Sequence, residues 1–306
     1  MGKLFFSRKF YLLVKTMFKS KVSNLNLLAR GKVRDIYDID DNYLMIVATD
    51  RLSAYDVVMP NPVPGKGIIL TQLSNFWFRM MEDIIPNHLT NLKIDSFIEN
   101  KKEIEQLKER SIIVKKLKPL PIESVVRGYI IGSGWSDYKK NKKICGIELP
   151  DNLQKAQKLP QIIFTPATKA NSGDHDENIN YQKTESIIGE DLASKVKEIS
   201  IKIYKRASIY ARSKGIIIGD TKFEFGQDSN GKLYLIDEIL TPDSSRFWPE
   251  ETYKVGESPE SYDKQYLRDY LETLSWNKVA PAPELPKDII VNTLNKYREA
   301  KDSLTS

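Results

Sequence analysis

Alternation of apolar and polar residues, the pattern of half-buried strands, marks two segments near the start of the chain. They cover residues 32–37 and 43–48, and a short apolar strand is predicted at 111–116. Between them, residues 71–84 carry large apolar side chains at the spacing of one helix face. The pattern therefore predicts strands and an amphipathic helix in the first part of the chain.

Two prolines, Pro119 and Pro121, then interrupt the pattern and predict a hinge between two lobes. An apolar, β-prone segment follows at 125–129, and a short helix is predicted at 135–143. Residues 151–179 are rich in proline and turn-forming residues, so they are predicted to form a loop.

Helices dominate the later part of the chain. One long helix is predicted at 185–214, ended by Gly215, and two more are predicted at 261–274 and 287–300. Because strands come first in antiparallel hairpins and most helices come later, the pattern favours an α+β fold over a doubly wound sheet.

The most informative segment is a predicted hairpin with strands near 219–226 and 233–240. Asp220, Lys222 and Glu224 share one face of its first strand, because alternate side chains point the same way. The second strand is apolar except for Asp237 and its neighbour. Ionised carboxylates on core strands are costly without a cation beside them, so the cluster suggests bound magnesium and phosphate.

A simpler explanation of the same cluster is a structural ion pair with Lys222. We favour the magnesium interpretation because the neighbouring residues are so apolar. The connection at 226–232 leaves the cross-strand register open, so the pattern does not establish that Glu224 and Asp237 meet.

Other polar segments could bind anions, although each alone is more often a solvated turn. Lys32 and Arg34 share a strand face and could lie over a triphosphate. Arg127 and Ser133 flank a glycine-containing turn that suits a phosphate. Arg246 follows the second hairpin strand and could bind an anion with both of its terminal nitrogens.

The few cysteines and histidines of the chain limit the possible disulfide and metal chemistry. Cys145 is the only cysteine, which excludes an internal disulfide and fits a reducing cytoplasm. With only His88 and His175 as histidines, a metal would be a hard ion held by carboxylates, such as magnesium. His175 could be a general base, although a lone loop histidine usually is not.

The net charge of +6 is the main argument for a nucleic-acid-binding protein. The lysines are scattered, however, and there is neither a zinc-finger spacing nor a basic stripe interleaved with aromatic residues. A modest positive charge also suits an enzyme of anionic small molecules. We therefore expect no nucleic-acid partner, and this class remains an alternative on charge alone.

Membrane insertion is not expected, because no apolar run approaches the roughly 20 residues that span a bilayer. Residues 1–34 lack acidic side chains and carry several lysines and arginines. This basic segment could be an organelle transit peptide, and we favour a disordered basic extension.

Nine motifs, in this order, resemble those of the SAICAR synthetase family of de novo purine biosynthesis. They are GKVRDIYD, DRLSAYDVVMP, GKGIILTQLSNFWF, VVRGYIIGSGW, FTPATKA, HDENI, DTKFEFG, DEILTPDSSRFWP and YDKQYLRDYL. Each motif is moderately specific, and the ordered set, from about residue 30 to about residue 271, is very specific.

The resemblance implies a ligase that uses ATP and magnesium to join L-aspartate to carboxyaminoimidazole ribonucleotide through an acyl phosphate. It implies the family's two-lobed α+β fold, similar to ATP-grasp, with antiparallel sheets and ATP in the cleft between the lobes. The expected domains are a basic extension (1–21), a nucleotide-binding lobe (22–118) and an ATP-grasp-like lobe with C-terminal helices (119–306). A cytoplasmic monomer or homodimer is expected.

The resemblance also implies residue roles. ATP binding is implied for Lys32, Arg34, Lys115, Glu123, Glu224 and Asp237, with Glu224 and Asp237 as metal ligands. Substrate binding is implied for Arg127, Ser133, Asp220, Lys222, Arg246, Arg268 and Asp56. Catalysis is implied for Lys222, Asp220, Lys169 and His175.

Two other enzyme classes remain as alternatives. One is a different ligase of ATP-grasp type, which would differ in its substrates. The other is a kinase-like phosphotransferase, although the chain lacks a His-Arg-Asp catalytic loop and an Asp-Phe-Gly triplet.

Overall fold

The structure is a computed structural model that describes residues 15–169 and 177–306. The chain forms two compact units. The first contains the described residues up to Phe76 together with His88–Lys116 and Asp263–Thr305, and the second contains Trp77–Asn87 and Leu117–Tyr262. The C-terminal helices thus group with the first unit. The domain bounds expected from the sequence stay predictions.

The first unit is built around an antiparallel sheet with the strand order β1-β2-β3-β6. Its strands are β1 (Asn26–Arg30), β2 (Arg34–Asp38), β3 (Tyr43–Ala48) and β6 (Ser111–Lys115). The strands predicted at 43–48 and 111–116 are present, but β2 begins later than the predicted residue 32. The amide of Gly31 donates to the carbonyl of Arg34 (2.8 Å), and this bond closes a turn before the strand.

Helices and a small hairpin complete this unit. The hairpin joins β4 (Ser53–Ala54) to β5 (Val57–Val58), and a 3-10 turn lies at Ile94–Ser96. The helices are α1 (Lys66–Met80), α2 (Lys101–Leu107), α6 (Gln265–Glu272) and α7 (Lys287–Thr305). The last turn of α1 belongs to the second unit. Helix α1 begins directly after Gly65, so it starts and ends earlier than the predicted 71–84. Apolar side chains of α6, α7 and the start of α1 form one core cluster.

The segment before β1 is anchored by two buried carboxylates. Asp50 accepts the amide of Met17 (2.8 Å), and Asp35 accepts both the amide (2.9 Å) and the hydroxyl (2.7 Å) of Ser20. The Ser20 hydroxyl also lies 2.9 Å from the Tyr37 hydroxyl. Residues 17–20 are therefore integrated into the first unit.

The second unit contains an antiparallel sheet with strands of different lengths. Its main strands lie in the order β11-β8-β13-β14. These are β11 (Lys158–Phe164), β8 (Ile122–Tyr129), β13 (Ile216–Gln227) and β14 (Leu233–Ile236), joined by β7 (Lys118–Pro119), β12 (Ala167–Thr168) and β15 (Ser245–Pro249). Around it lie α3 (Gly132–Asn141), α4 (Tyr181–Ile188), α5 (Glu190–Ser213) and the hairpin of β9 (Lys143–Ile144) and β10 (Ile147–Glu148).

Two expectations for this unit are wrong. The predicted loop at 151–179 contains β11 and β12, because its apolar residues Leu159, Ile163 and Phe164 are buried as a strand beside β8. The single helix predicted at 185–214 is two helices, α4 and α5, separated by Gly189. Gly189 has a φ of 88°, a conformation that interrupts a helix and that glycine adopts readily.

The predicted hairpin is present, but its second strand, β14, ends at Ile236 and not near residue 240. The register of the hairpin is now defined. Glu224 lies opposite Ile236, and the pairing continues to Gln227 and Leu233. At Asp237 the backbone turns to a φ of 68° and leaves the strand. Among the described residues, no helix is long and apolar enough to cross a membrane.

Replacing Ser20 with alanine should lower the free energy of unfolding by about 2 kcal/mol, because the buried Asp35 carboxylate loses a short hydroxyl bond. Equilibrium urea denaturation measures this change. The matched control is Ser23→Ala, since Ser23 is exposed and should change stability by no more than about 0.5 kcal/mol. Equal effects of the two variants would contradict this account of the anchor.

Candidate active site

The charged residues of the second unit lie on the adjacent strands β8 and β13. Asp220 is directly opposite Arg127 in the register, so the two side chains point to the same face. Lys222 and Glu224 follow at alternate positions of β13 and share that face. The expectation that Asp220, Lys222 and Glu224 lie together is thus met by regular strand geometry.

Asp220 is shared by two guanidinium groups. Its Oδ2 atom accepts from Nη1 of Arg127 (2.6 Å) and from Nη1 of Arg246 (2.5 Å). Arg127 also donates to the hydroxyl oxygens of Ser133 (2.9 Å) and Thr165 (3.0 Å). Burial lowers the pKa of Arg127, and the charge of Asp220 opposes that effect.

Arg127 and Arg246 differ in solvent exposure, and this difference indicates different roles. The side chain of Arg127 is 4% exposed and is surrounded by bonding partners, whereas that of Arg246 is 22% exposed. Arg246 lies directly against the backbone of Gly132, where any side chain would collide with its guanidinium group. Arg246 is therefore the guanidinium that an incoming anion can reach.

A second cluster surrounds Lys222. Its ammonium group donates to Glu123 (2.5 Å) and to Glu224 (3.0 Å), and Lys169 donates to the other oxygen of Glu224 (2.5 Å). Burial alone would lower the pKa of Lys222, but the carboxylates of Glu224, Glu123 and Asp237 outweigh it and raise the pKa. Lys222 is therefore protonated at neutral pH.

The ion pair offered as the simpler explanation of these acids is present. The same cluster nevertheless holds three carboxylates, those of Glu123, Glu224 and Asp237, against the two ammonium groups of Lys169 and Lys222. These carboxylates lie close together at a half-buried face. Such a face can accept a further cation.

In the first unit, the structure places the predicted phosphate contacts at a turn. Lys32 lies in the turn between β1 and β2 and pairs with Asp56, while Arg34 is the first residue of β2. Asp56 and Gly31 also line an open pocket of about 560 Å³ whose other walls are largely apolar. The structure thus brings Asp56 to the turn that carries Lys32.

Three predicted residues remain to be placed. Lys115 ends β6, and Arg268 lies on α6, both in the first unit. His175 falls outside the described residues. Their proposed roles stay predictions.

Sequence reasoning missed two groups in these clusters. Thr165 supports Arg127, and its only signal was its place in the FTPATKA motif. Arg51 holds the turn at Lys32 through its guanidinium group. The sequence feature that could have indicated Arg51 is its place beside Asp50, directly after an apolar strand, in the DRLSAYD motif.

Comparison with known proteins agrees with this fold. A sequence profile described as SAICAR synthetase matches residues 27–283. The phosphoribosylaminoimidazole-succinocarboxamide synthase of Methylobacillus flagellatus is 54% identical over 289 residues, which is 94% of this chain and 97% of that protein. That of Methylococcus capsulatus is 53% identical over 290 residues, covering 95% and 98% of the two chains.

Solved structures show the same likeness. The SAICAR synthase of Saccharomyces cerevisiae, complexed with SAICAR, is 45% identical with a TM-score of 0.88, covering 95% of this chain and 98% of that one. A SAICAR synthetase in complex with ADP is 28% identical with a TM-score of 0.66, covering 90% and 97%.

An ATP-dependent carboxylate–amine ligase is the class that the motifs, the fold and these relatives define together. The chain belongs to the SAICAR synthetase family. The family expected from the nine motifs is confirmed, and so are the α+β fold and the ligation of L-aspartate in purine biosynthesis.

Proposed function

We propose that the charged face of β8 and β13 is where the chain binds carboxyaminoimidazole ribonucleotide and activates its carboxylate for attack by L-aspartate. The observation that carries this proposal is the pairing of two clusters on one sheet. Arg127, Asp220 and Arg246 form a cationic group, and Lys222 lies beside it among the carboxylates of Glu123 and Glu224.

The reaction requires such a face because a carboxylate and an amine form a salt, not an amide, at neutral pH. A carboxylate oxygen of the ribonucleotide attacks the γ-phosphorus of ATP, the bond to the β-phosphate oxygen breaks, and ADP leaves. The aspartate amine then attacks the carbonyl carbon of this acyl phosphate. Phosphate leaves with the carbonyl–oxygen electron pair, and the amine gives up a proton. The protein supplies position and charge neutralisation.

We assign the ribonucleotide's anionic groups to Arg246, the exposed member of the cationic group. Arg127 is too buried to be a primary contact, and its bonds to Ser133 and Asp220 fix the positions of groups that face the ligand. Lys222, which is kept protonated by its carboxylates, provides positive charge where negative charge develops on the activated carboxylate.

Magnesium fits the acidic cluster. Glu224 and Asp237 both face Lys222 and present hard oxygen donors, and magnesium usually takes one or two protein carboxylates together with phosphate oxygens. In the described parts of the chain, no group of three or more His, Cys, Asp or Glu side chains could hold a metal by itself. The bound ion would neutralise charge on the phosphates during transfer.

In the first unit we assign the turn at Gly31–Arg34 to the phosphates of ATP. The side chains of Lys32 and Arg34 are its cations, and Lys32 is about half exposed. The pair of Lys32 with Asp56 is then the contact that a phosphate would replace. The roles of Lys115, Arg268 and His175 remain part of this proposal.

A cytoplasmic location completes the proposal. Cys145 is the only cysteine of the chain and cannot form an internal disulfide. Its half-buried thiol has a pKa raised to about 11 by burial, which keeps it protonated and unreactive at neutral pH. We also propose that the chain acts as a monomer or homodimer.

An ADP-release assay with ATP, L-aspartate and the imidazole carboxylate tests the reaction. Turnover is expected only when all three are present. ADP release without aspartate would point to a phosphotransferase. Turnover with another carboxylate in place of the ribonucleotide would point to a ligase with different substrates.

Glu224→Gln and Asp237→Asn should each lower kcat by at least about 100-fold, because the magnesium ion that would neutralise charge on the transferring phosphoryl group loses a carboxylate ligand. The readouts are steady-state kinetics across magnesium concentrations and the melting temperature. Asp228→Asn is the control, since Asp228 lies in the loop after β13, on the same hairpin, and binds only its local neighbours. Full activity in either cluster variant would refute the metal assignment.

Arg246→Ala should raise the KM for the ribonucleotide about 30-fold, the size expected for a lost charge-assisted bond, and should change the KM for ATP far less. Arg212→Ala is the matched control, because Arg212 forms an exposed ion pair with Glu250 in the same unit. A larger effect on ATP than on the ribonucleotide would overturn the assignment of Arg246.

A further inference from the structure

The turn at Gly31–Arg34 is held from one side by the segment that follows β3. The carbonyl of Val33 accepts both the amide (3.0 Å) and the hydroxyl (2.7 Å) of Thr49. The two preceding carbonyls of the turn, those of Gly31 and Lys32, accept from Arg51. Three consecutive carbonyls therefore point towards residues 49–51.

Arg51 is the centre of this arrangement. Its Nε donates to the carbonyl of Lys32 (2.9 Å), its Nη2 to that of Gly31 (2.9 Å) and its Nη1 to that of Phe18 (2.6 Å). Nη2 also bonds the carboxylate of Asp35 (2.7 Å). The Arg51 side chain is only 3% exposed, and that of Asp35 is fully buried, so the guanidinium group is fixed in position.

The fixed carbonyls determine where the amides of the turn point. In a trans peptide unit the N–H group points opposite to the C=O group. Because Arg51 binds the carbonyls of Gly31 and Lys32, the amides of Lys32 and Val33 are turned away from it. Within the described residues these two amides donate to no acceptor. Successive amides that face the same way form a concavity that binds anions.

We propose that Arg51 is a positioning residue that presets the amides of Lys32 and Val33 to receive a phosphate oxygen of ATP, while Thr49 holds the next carbonyl, that of Val33, at the end of the same turn. The proposal rests on the assignment of this turn to the ATP phosphates. With its side chain only 3% exposed and its donors bound to carbonyls, Arg51 is not assigned a contact with the nucleotide. It acts through the turn, which would otherwise have to be ordered at the moment of binding.

The chemistry of arginine supports this role over a general structural one. A planar guanidinium group binds two neighbouring carbonyls and a carboxylate at once, which a lysine ammonium cannot do in the same geometry. If Arg51 served only to neutralise the charge of Asp35, it would not need its bonds to the carbonyls of Gly31, Lys32 and Phe18. Preorganised donors bind an anion more tightly because less conformational entropy is lost on binding.

The test compares Arg51→Lys with Thr49→Val in the full chain. Arg51→Lys keeps the charge beside Asp35 but loses the geometry, and it should raise the KM for ATP about tenfold while leaving the KM for the ribonucleotide unchanged. Thr49→Val removes one hydroxyl bond to Val33 at nearly constant volume. It should raise the KM for ATP about threefold, and it keeps the proposal testable if Arg51→Lys fails to fold.

Arg110→Lys is the matched control. Arg110 is as buried as Arg51 and pairs with Asp50 (2.9 Å), the residue next to Arg51, but it does not bond the turn. Its variant should lower the melting temperature to a similar extent without changing the KM for ATP.

The results of these experiments distinguish the role of Arg51 from the assignment of the turn to the ATP phosphates. An unchanged KM for ATP in both Arg51→Lys and Thr49→Val, with a lower melting temperature as in Arg110→Lys, would show a purely structural role and overturn the proposal. Lys32→Ala tests the turn itself: if it leaves the KM for ATP unchanged, the assignment of the turn to phosphate fails. A raised KM in Lys32→Ala with no effect in the other two variants would overturn only the role of Arg51.

Discussion

The need to pair buried charge is the constraint on which both units depend. A carboxylate or guanidinium group removed from water is costly unless an opposite charge and hydrogen bonds replace the solvent. In the second unit, Asp220 meets this need with Arg127 and Arg246. In the first unit, Asp35 is paired with Arg51. Breaking one such pair leaves an uncompensated charge, so each partner fixes the other's position.

Regular strand geometry places the paired charged side chains on one face of the sheet. On β13 the charged residues alternate with Phe223 and Phe225, which are buried in the core behind the sheet. The face therefore cannot slip by one residue without burying the charges and exposing the aromatic rings. Close packing at Gly219, which lies against Trp248, leaves no room for a different register. Side chains carried on such a strand are more precisely held than side chains on a loop.

The parts of the site that could be predicted from the sequence are those set by local periodicity. Period two was enough to place Asp220, Lys222 and Glu224 together, since regular strand geometry needs no tertiary information. The electrostatic interaction of Asp237 with Lys222 was not predictable, because it depends on where the backbone leaves β14. The strand β11 was missed because its register shifts between residues 158 and 163, which disrupts the alternation. The bonds of Arg51 are tertiary, so the DRLSAYD motif could single out the residue but not its partners.

Exposure then divides the ion pairs into two kinds. Pairs such as Arg127–Asp220 and Arg51–Asp35 are almost fully buried, so separating them costs several kcal/mol by the usual measure of buried pairs, about 3–5 kcal/mol. The pairs of Lys169 with Glu224 and of Lys32 with Asp56 are much more accessible, with 38% and 51% of the lysine side chains exposed. The pair of Lys32 with Asp56 is exposed on both sides, and such pairs are worth about 0–1 kcal/mol. In the proposed function, a phosphate or a metal ion replaces these outer partners while the buried pairs keep the surrounding groups in place. The cations and carboxylates would then be held in ion pairs before substrates arrive, and only the outer pairs would need to open.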